Sequence, residues 1–243
     1  MAKTRIPQPR TMLSASIEDY IKAIYALEAE EHQATTKRIA ERLGVRMASV
    51  TGMLKHLSAE GYVKHTPRRG ARLTELGHRV AVGMIRRHRL LELFLSRTLG
   101  LPWDELHDDA ERLEHGVSDH LIERMYEFLG CPEFDPHGSP IPARDGSIAP
   151  RRGVPLSDLN VGERGAIVEV ADRDPAFLRY LTALNLGIGT EVMVREKAPY
   201  AGPIVLGAGS ARVAISPEAA SRVRVARANV THRRGRARTA RLT

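Results

Sequence analysis

Residues 107–115, His-Asp-Asp-Ala-Glu-Arg-Leu-Glu-His, concentrate imidazoles and carboxylates in one short stretch. On a helix turning about 100° per residue, positions i, i+4, i+7 and i+8 share a side. His107, Glu111, Glu114 and His115 take those positions. Leu106, Ala110, Leu113, Val117 and Leu121 form an adjoining apolar stripe. A helix that buries one stripe beside two imidazoles and two carboxylates has the donors for a divalent ion. Upstream, His88 and Glu92 repeat the i, i+4 His/Glu spacing. The competing reading is a solvated acidic face; two such segments close together in the chain favour metal binding over it.

Positioning these groups falls to a chain of 243 residues with 42% hydrophobic content, a globular size of two or three modest domains. One cysteine, Cys131, leaves neither a disulfide framework nor a thiolate zinc cage. No apolar run has the length of a membrane span, and the N-terminus lacks a signal-peptide core, so a reduced, cytoplasmic protein is expected. The net charge of +8 is unevenly spread. Lys3, Arg5 and Arg10 lie in residues 1–13, and Arg233, Arg234, Arg236, Arg238 and Arg241 in residues 229–243, without any acid. Between residues 34 and 90 there are thirteen Lys/Arg against three acids; between 91 and 135 there are twelve Asp/Glu against three Arg. A basic block followed by an acidic one suggests one module facing a polyanion and another facing cations.

Residues 1–13 read as a flexible basic arm. Residues 14–31 read as a helix capped by Ser14 or Ser16, with Ile17, Tyr20, Ile21, Ile24, Tyr25 and Leu27 apolar and Asp19 and Lys22 off that face. A Thr35-Thr36 cap, a short helix over 37–43, a turn at Gly44 and a second helix over 47–60 make a helix-turn-helix. Residues 62–66 and 71–74 flank Pro67-Arg68-Arg69-Gly70 as a β-hairpin wing. In that geometry the start of the second helix enters the major groove. Arg46, Ala48, Ser49, Thr51 and Gly52 would face base edges there. Lys37, Lys55, His56, Arg68 and Arg69 would contact phosphates, which position the module rather than read sequence. A wing used for protein contacts is the blander reading, disfavoured by the local positive charge.

A long helix over 75–99 carries His88 and Glu92, and 103–129 reads as one further helix, with Trp103 and Phe128 in the core. Residues 136–155 are dense in Pro, Gly and Ser and read as a linker. Short β-branched runs at 166–170, 191–194, 203–206, 211–215 and 222–225, with a helix over 175–184, read as a small β-barrel. An Arg-rich tail ends the chain and would add non-specific attraction to nucleic acid. The expected fold is mainly α with a small β domain: a winged helix-turn-helix over 14–84, a helical metal-binding and dimerisation domain over 85–135, the linker over 136–155, and a barrel over 156–228 ahead of the tail at 229–243. His32, His65, His78, His120, His137 and His232 read as ordinary surface or turn residues, and Cys131 has no evident partner.

The motifs Ser16-Ile17-Glu18-Asp19-Tyr20, residues 38–45, Arg87-His88-Arg89-Leu90-Leu91-Glu92, His107-Asp108 with residues 111–115, and Gly138-Ser139-Pro140-Ile141-Pro142 recur together in one family. From residue 16 to about 226 the chain resembles the three-domain metal-dependent transcriptional repressors of the diphtheria-toxin-repressor and manganese-transport-regulator family. The resemblance implies a homodimer through the two central helices, a palindromic double-stranded DNA operator, and a barrel similar to Src-homology-3 and iron-transport accessory domains. It implies a regulatory metal site of Asp19, Glu111, Glu114 and His115, and an ancillary site of His88, Glu92 and His107. A barrel carboxylate, Asp174 or the nearby Asp172, would supplement the ancillary site; the amide expected there is replaced by Phe177. Iron-responsive members carry Met and Cys where this chain has Asp19 and Glu111. Carboxylates favour hard ions, so Mn2+ is expected first and Fe2+ next, with Zn2+, Co2+ and Cd2+ able to substitute in vitro. Lys22 stands where manganese-specific two-domain relatives carry Glu, which argues against a closely spaced binuclear cluster.

The expected mechanism is an ion-driven switch. Asp19 belongs to the DNA-binding module and Glu111, Glu114 and His115 to the dimer module, so an ion would tie the two together and fix the spacing of paired recognition helices. Genes of metal uptake would be the targets, with no membrane partner and no small-molecule substrate. One alternative is a winged-helix regulator with structural metals that answers another ligand. A hydrolytic metalloenzyme is disfavoured, because Glu111-x-x-Glu114-His115 is neither a His-x-x-x-His nor a His-x-x-Glu-His arrangement.

Overall fold

The computed structural model describes residues 13–31, 33–66, 69–171 and 174–228. The basic arm, the Arg-rich tail, Arg68 and Asp172 lie outside them. The chain clusters into two compact units, divided between residues 136 and 137, 139 and 140, and 150 and 151.

The first unit begins with α1 (Ala15–Glu31), α2 (Thr36–Leu43) and α3 (Met47–Ala59), followed by the hairpin β1 (Val63–Thr66) and β2 (Gly70–Leu73). Thr35 caps α2 by accepting from Arg38 N, and Gly44 ends it at φ 64, a left-handed turn that a Cβ would strain. α3 then leaves at a new angle with Val50, Leu54 and Leu57 inward. These close on Ile21, Ile24, Leu27, Ile39, Val63 and Val80 in one core. The hairpin is antiparallel, Val63 opposite Leu73 and Thr66 opposite Gly70. This is the expected winged helix-turn-helix.

The remaining helices are α4 (Glu75–Leu99), α5 (Leu106–Glu114) and α6 (Asp119–Phe128). α4 has the expected bounds, capped by Thr74 and stopped by Gly100 in the left-handed region. The single helix expected over 103–129 is two. Gly116 and Val117 weaken the helix, and Ser118 starts a new one by accepting from Leu121 N. The apolar stripe divides with it. Leu106 and Ala110 are buried against Leu90, Leu91 and Ile122, whereas Leu113 is 43% exposed, Leu121 45% and Phe128 71%. Phe128 is therefore not a core residue; Trp103 packs against the core as expected.

The Pro/Gly-rich stretch has no helix and no strand before β3 at Val154–Pro155, but its first part is not solvated. Residues 137–142 are buried. Arg86 donates to the Pro142 carbonyl at 2.8 Å, and Arg89 donates to that of Pro140. Composition reports the lack of regular structure; it does not report the arginines that satisfy the carbonyls inside.

In the second unit β3, β4 (Arg164–Val170), β5 (Glu191–Lys197), β6 (Ile204–Ala208), β7 (Ala211–Ile215) and β8 (Val223–Arg227) form one antiparallel sheet in the order β3-β8-β4-β5-β6-β7. Helices α7 (Pro175–Ala183) and α8 (Pro217–Ser221) complete this barrel. Ile167, Leu178, Leu181, Val192, Val194, Leu206, Val223 and Val225 fill it. Gly138 lies against it so closely that a Cβ would sit 1.9 Å from the Val168 carbonyl oxygen, so only glycine fits there.

Candidate metal centre and DNA-facing surface

Three elements bring the ligand types together. α1 supplies Glu18, Asp19 and Lys22; α4 supplies Arg87, His88 and Glu92; α5 and the residue after it supply His107, Glu111, Glu114 and His115. Two centres result.

In the first, donor atoms of Asp19, Glu114 and His115 lie within 4.8 Å of one another. His115 Nε2 is 3.2 Å from Asp19 Oδ1 and 3.9 Å from Glu114 Oε1. Asp19 Oδ1 is buried and makes no hydrogen bond, despite that 3.2 Å approach. An ion placed between them would take both as ligands. Glu111 groups instead with Glu114 and His88, donor atoms again within 4.8 Å, and Lys22 Nζ donates to Glu111 Oε2 at 2.8 Å and to Glu114 Oε1 at 2.6 Å. Burial pushes the Asp19 carboxyl up, the His115 ring draws it down, and Glu111 pushes it up again, leaving it above its ordinary value.

In the second centre, His88 Nε2 lies 3.0 Å from Glu92 Oε1 and 3.1 Å from His107 Nδ1. The two rings meet edge to face at 4.9 Å. His88 Nδ1 turns the other way, 2.6 Å from Glu114 Oε2, so one imidazole touches both centres. Burial lowers the basicity of His88, but its bonds to Glu114 and Glu92 prevail and push its pKa up to about 10. Glu114 is fully buried. Burial alone would raise its carboxyl; the His88 bond and the Lys22 charge outweigh that and hold it below the usual range.

Both donor sets suit a divalent ion. The first offers carboxylate oxygens and one imidazole, a hard set; the second offers two imidazoles and one carboxylate, a borderline set. Lys22 and protonated His88 supply the positive charge that an ion would otherwise supply. All seven ligand candidates of the helical unit thus lie in one cluster. Asp174 belongs to the second unit, where its Oδ1 accepts from Phe177 N as the cap of α7 and its Oδ2 accepts from Arg222 at 3.2 Å. The cap bond first, then Arg222, holds its carboxyl below the ordinary value.

The residues expected to meet DNA are solvent-exposed. Lys37, Arg46, Ala48, Ser49, Thr51, Gly52, Lys55, His56 and Arg69 are all exposed. One residue escaped the sequence reading. Glu18 is buried beside His115, but in the sequence it is only the neighbour of Asp19.

A basic winged helix whose first helix joins, through Asp19 near its start, a carboxylate-imidazole cluster on neighbouring helices defines a metal-responsive DNA-binding regulator. Comparison with known proteins makes the assignment narrower. Residues 12–71 match the iron dependent repressor N-terminal DNA binding domain, 74–143 the iron dependent repressor metal binding and dimerisation domain, and 154–227 the FeoA domain. The chain is 33% identical over 218 residues to the diphtheria toxin repressor of Corynebacterium glutamicum, covering 86% of this chain and 94% of that protein. It is 36% identical over 125 residues to the HTH-type transcriptional regulator MntR of Lysinibacillus sphaericus, covering 51% of this chain and 89% of the other. Among solved structures, a manganese-dependent transcriptional repressor in complex with manganese is similar at a TM-score of 0.79 and 37% identity, covering 87% of this chain and all of that one. The chain belongs to the DtxR/MntR family of metal-dependent transcriptional repressors, with the FeoA-type, SH3-like domain at its C-terminal end. It is a regulator of that family and not an enzyme.

Proposed function

We propose that this chain is a Mn2+-responsive repressor, with Fe2+ the next candidate, that binds a palindromic operator as a homodimer and controls genes of metal uptake. Zn2+, Co2+ and Cd2+ would substitute in vitro. The observation that carries the reading is the convergence of Asp19, on the first helix of the DNA-binding module, with Glu114 and His115 at the end of α5. Asp19, Glu111, Glu114 and His115 would hold the regulatory ion, and His88, Glu92 and His107 the ancillary one. A contribution from Asp174 would have to give up its Arg222 partner while its other oxygen keeps the α7 cap.

A bound divalent ion supplies positive charge to carboxylates that otherwise repel. The protein's own residues do the rest. Asp19 carries that neutralisation to α1, and α1 packs in the same core as α3, so the recognition helix is held where α1 is held. Lys22 bridges Glu111 and Glu114, where a closely spaced second ion would need a carboxylate instead. Leu99, Leu113, Leu121 and Phe128 offer exposed apolar surface for the twofold contact. Lys22 and His88 already give Glu111, Glu114 and Glu92 cationic or hydrogen-bonding partners within the chain. That favours a regulatory metal over a structural one.

At the DNA surface, Arg46 would read a guanine edge or a phosphate, and Lys37, Lys55, His56, Arg68 and Arg69 would hold phosphates. Gly52 is unusual: it sits inside α3, and a Cβ there would meet nothing within 4 Å. Packing does not call for a glycine that costs the helix about 1 kcal/mol relative to alanine; close approach of DNA backbone or bases does.

Asp19→Ala tests the reading. The variant should fold normally and lose metal-dependent operator binding in a fluorescence anisotropy assay. A wild-type response to Mn2+ in the folded variant would sink it.

A further inference from the structure

Glu18 is not one of the expected ligands, yet it is buried at 8% exposure. Its Oε2 lies 2.7 Å from His115 Nδ1. A carboxylate oxygen accepts and does not donate, so Nδ1 is the ring nitrogen that carries the proton. In the neutral ring the lone pair is then on Nε2, the atom 3.2 Å from Asp19 Oδ1. The opposite tautomer would turn an N–H toward Asp19, and that ring could not ligate an ion there. Consecutive residues of α1 therefore grip the two sides of one imidazole: Glu18 holds Nδ1, and Asp19 faces Nε2.

Glu18 is itself held. Arg87 Nη1 lies 3.9 Å from Glu18 Oε1 and donates to the Glu114 carbonyl at 3.1 Å, while Arg87 Nη2 donates to Asp119 Oδ1 at 2.6 Å. Glu114 and Asp119 are the last residue of α5 and the first of α6, so Arg87 clasps both ends of the turn that carries His115. The ring is held by α1 directly, and the turn that carries it is held by Arg87 of α4.

We propose that Glu18 is a positioning residue of the regulatory centre. It selects the His115 tautomer that can ligate through Nε2, fixes the ring's orientation, and raises the donor strength of that nitrogen. It also makes capture depend on α1 being docked, because the residue that prepares the ring and the residue that shares its ion are neighbours on one helix. This rests on the reading of His115 as a metal ligand. The sequence hides it, since Glu18 and His115 are 97 residues apart.

The test uses the full chain carrying His107→Ala, which leaves one centre, with Glu18→Leu, Glu18→Gln or Asp19→Ala added. Mn2+ affinity is measured by equilibrium dialysis, the His115 tautomer of the metal-free protein by nitrogen-15 NMR, and folding by circular dichroism. Glu18→Leu should lose the Nδ1-protonated tautomer and bind Mn2+ about 10- to 100-fold more weakly. Glu18→Gln, whose amide oxygen still accepts from Nδ1, should keep the tautomer and lose less. A folded Glu18→Leu chain with wild-type affinity and an unchanged tautomer overturns the positioning role. If Asp19→Ala also binds Mn2+ as tightly as its parent, the metal reading of the centre has failed, and the role of Glu18 fails with it.

Discussion

Replacing Lys22 by methionine keeps most of the side-chain stem and removes the ammonium. Lys22 Nζ contacts Glu114 at 2.6 Å and Glu111 at 2.8 Å; the Glu114 side chain is fully buried and that of Glu111 is 41% exposed. Burial pushes the lysine pKa down, but Glu114 and then Glu111 push it up more strongly, so the ammonium is held charged. Removing one partner of a buried ion pair costs about 3–5 kcal/mol, because the other charge is left uncompensated. The exposed Glu111 arm adds at most about 1 kcal/mol. His88 still bonds Glu114 at 2.6 Å, which places the expected loss at the low end, about 3 kcal/mol. The assay is denaturant unfolding of wild type and variant, with chelator and with Mn2+. In chelator the variant should lose about 3 kcal/mol. Mn2+ at about a hundred times its dissociation constant adds about 2.7 kcal/mol to a one-site protein. It should add more to the variant, whose carboxylates have no other cation, so the gap narrows. An equal loss with and without Mn2+, or no loss in chelator, would refute the idea that Lys22 stands in for an ion.

Three further outcomes follow from the same geometry. Because His88 keeps its proton up to about pH 10 in the metal-free protein, ion binding at the His88–Glu92–His107 centre must displace it. Affinity there should rise about tenfold per pH unit through neutrality, level off above pH 10, and release about one proton, as read by calorimetry in buffers of different ionisation enthalpy. A pH-independent affinity would contradict this. Gly52→Ala should stabilise the chain by about 0.5–1 kcal/mol in denaturant unfolding while weakening operator binding; unchanged DNA affinity would mean that the glycine has no role at the interface. Lys55→Ala should weaken binding to all DNA sequences alike and reduce the salt slope by about 1, whereas Arg46→Ala should cost about 1–3 kcal/mol on the operator alone if it reads a base. A sequence-selective loss at Lys55 would reverse the two roles.

Local chemistry made much of the fold legible. Thr35 and Gly44 bracket α2, Thr74 and Gly100 bracket α4, and the apolar period of α3 marks its buried face. The family motifs then located seven ligand candidates that the fold does gather. What stayed hidden depends on distant partners or on the choice between competing local signals. Ser118 is a good cap, but a continuous apolar pattern across Gly116 suggested one helix where there are two. Glu18 and Asp19 are indistinguishable by type, and only the placement of His115 tells them apart. Lys22 could be seen to differ from a ligand, but its bridge to Glu111 and Glu114 spans 89 and 92 residues. The carbonyls of Pro140 and Pro142 are satisfied by Arg89 and Arg86, half a domain away in sequence.

The most direct test of the central proposal is capture of fragments of the source genome by the purified protein, with chelator, Mn2+ or Fe2+, at a salt concentration that suppresses non-specific binding by the Arg-rich termini. The proposal predicts that specific fragments are retained with Mn2+ and released by chelator, and that they share a palindromic sequence. Retention of the same fragments with and without metal, or enrichment of none, would contradict a metal-driven repressor.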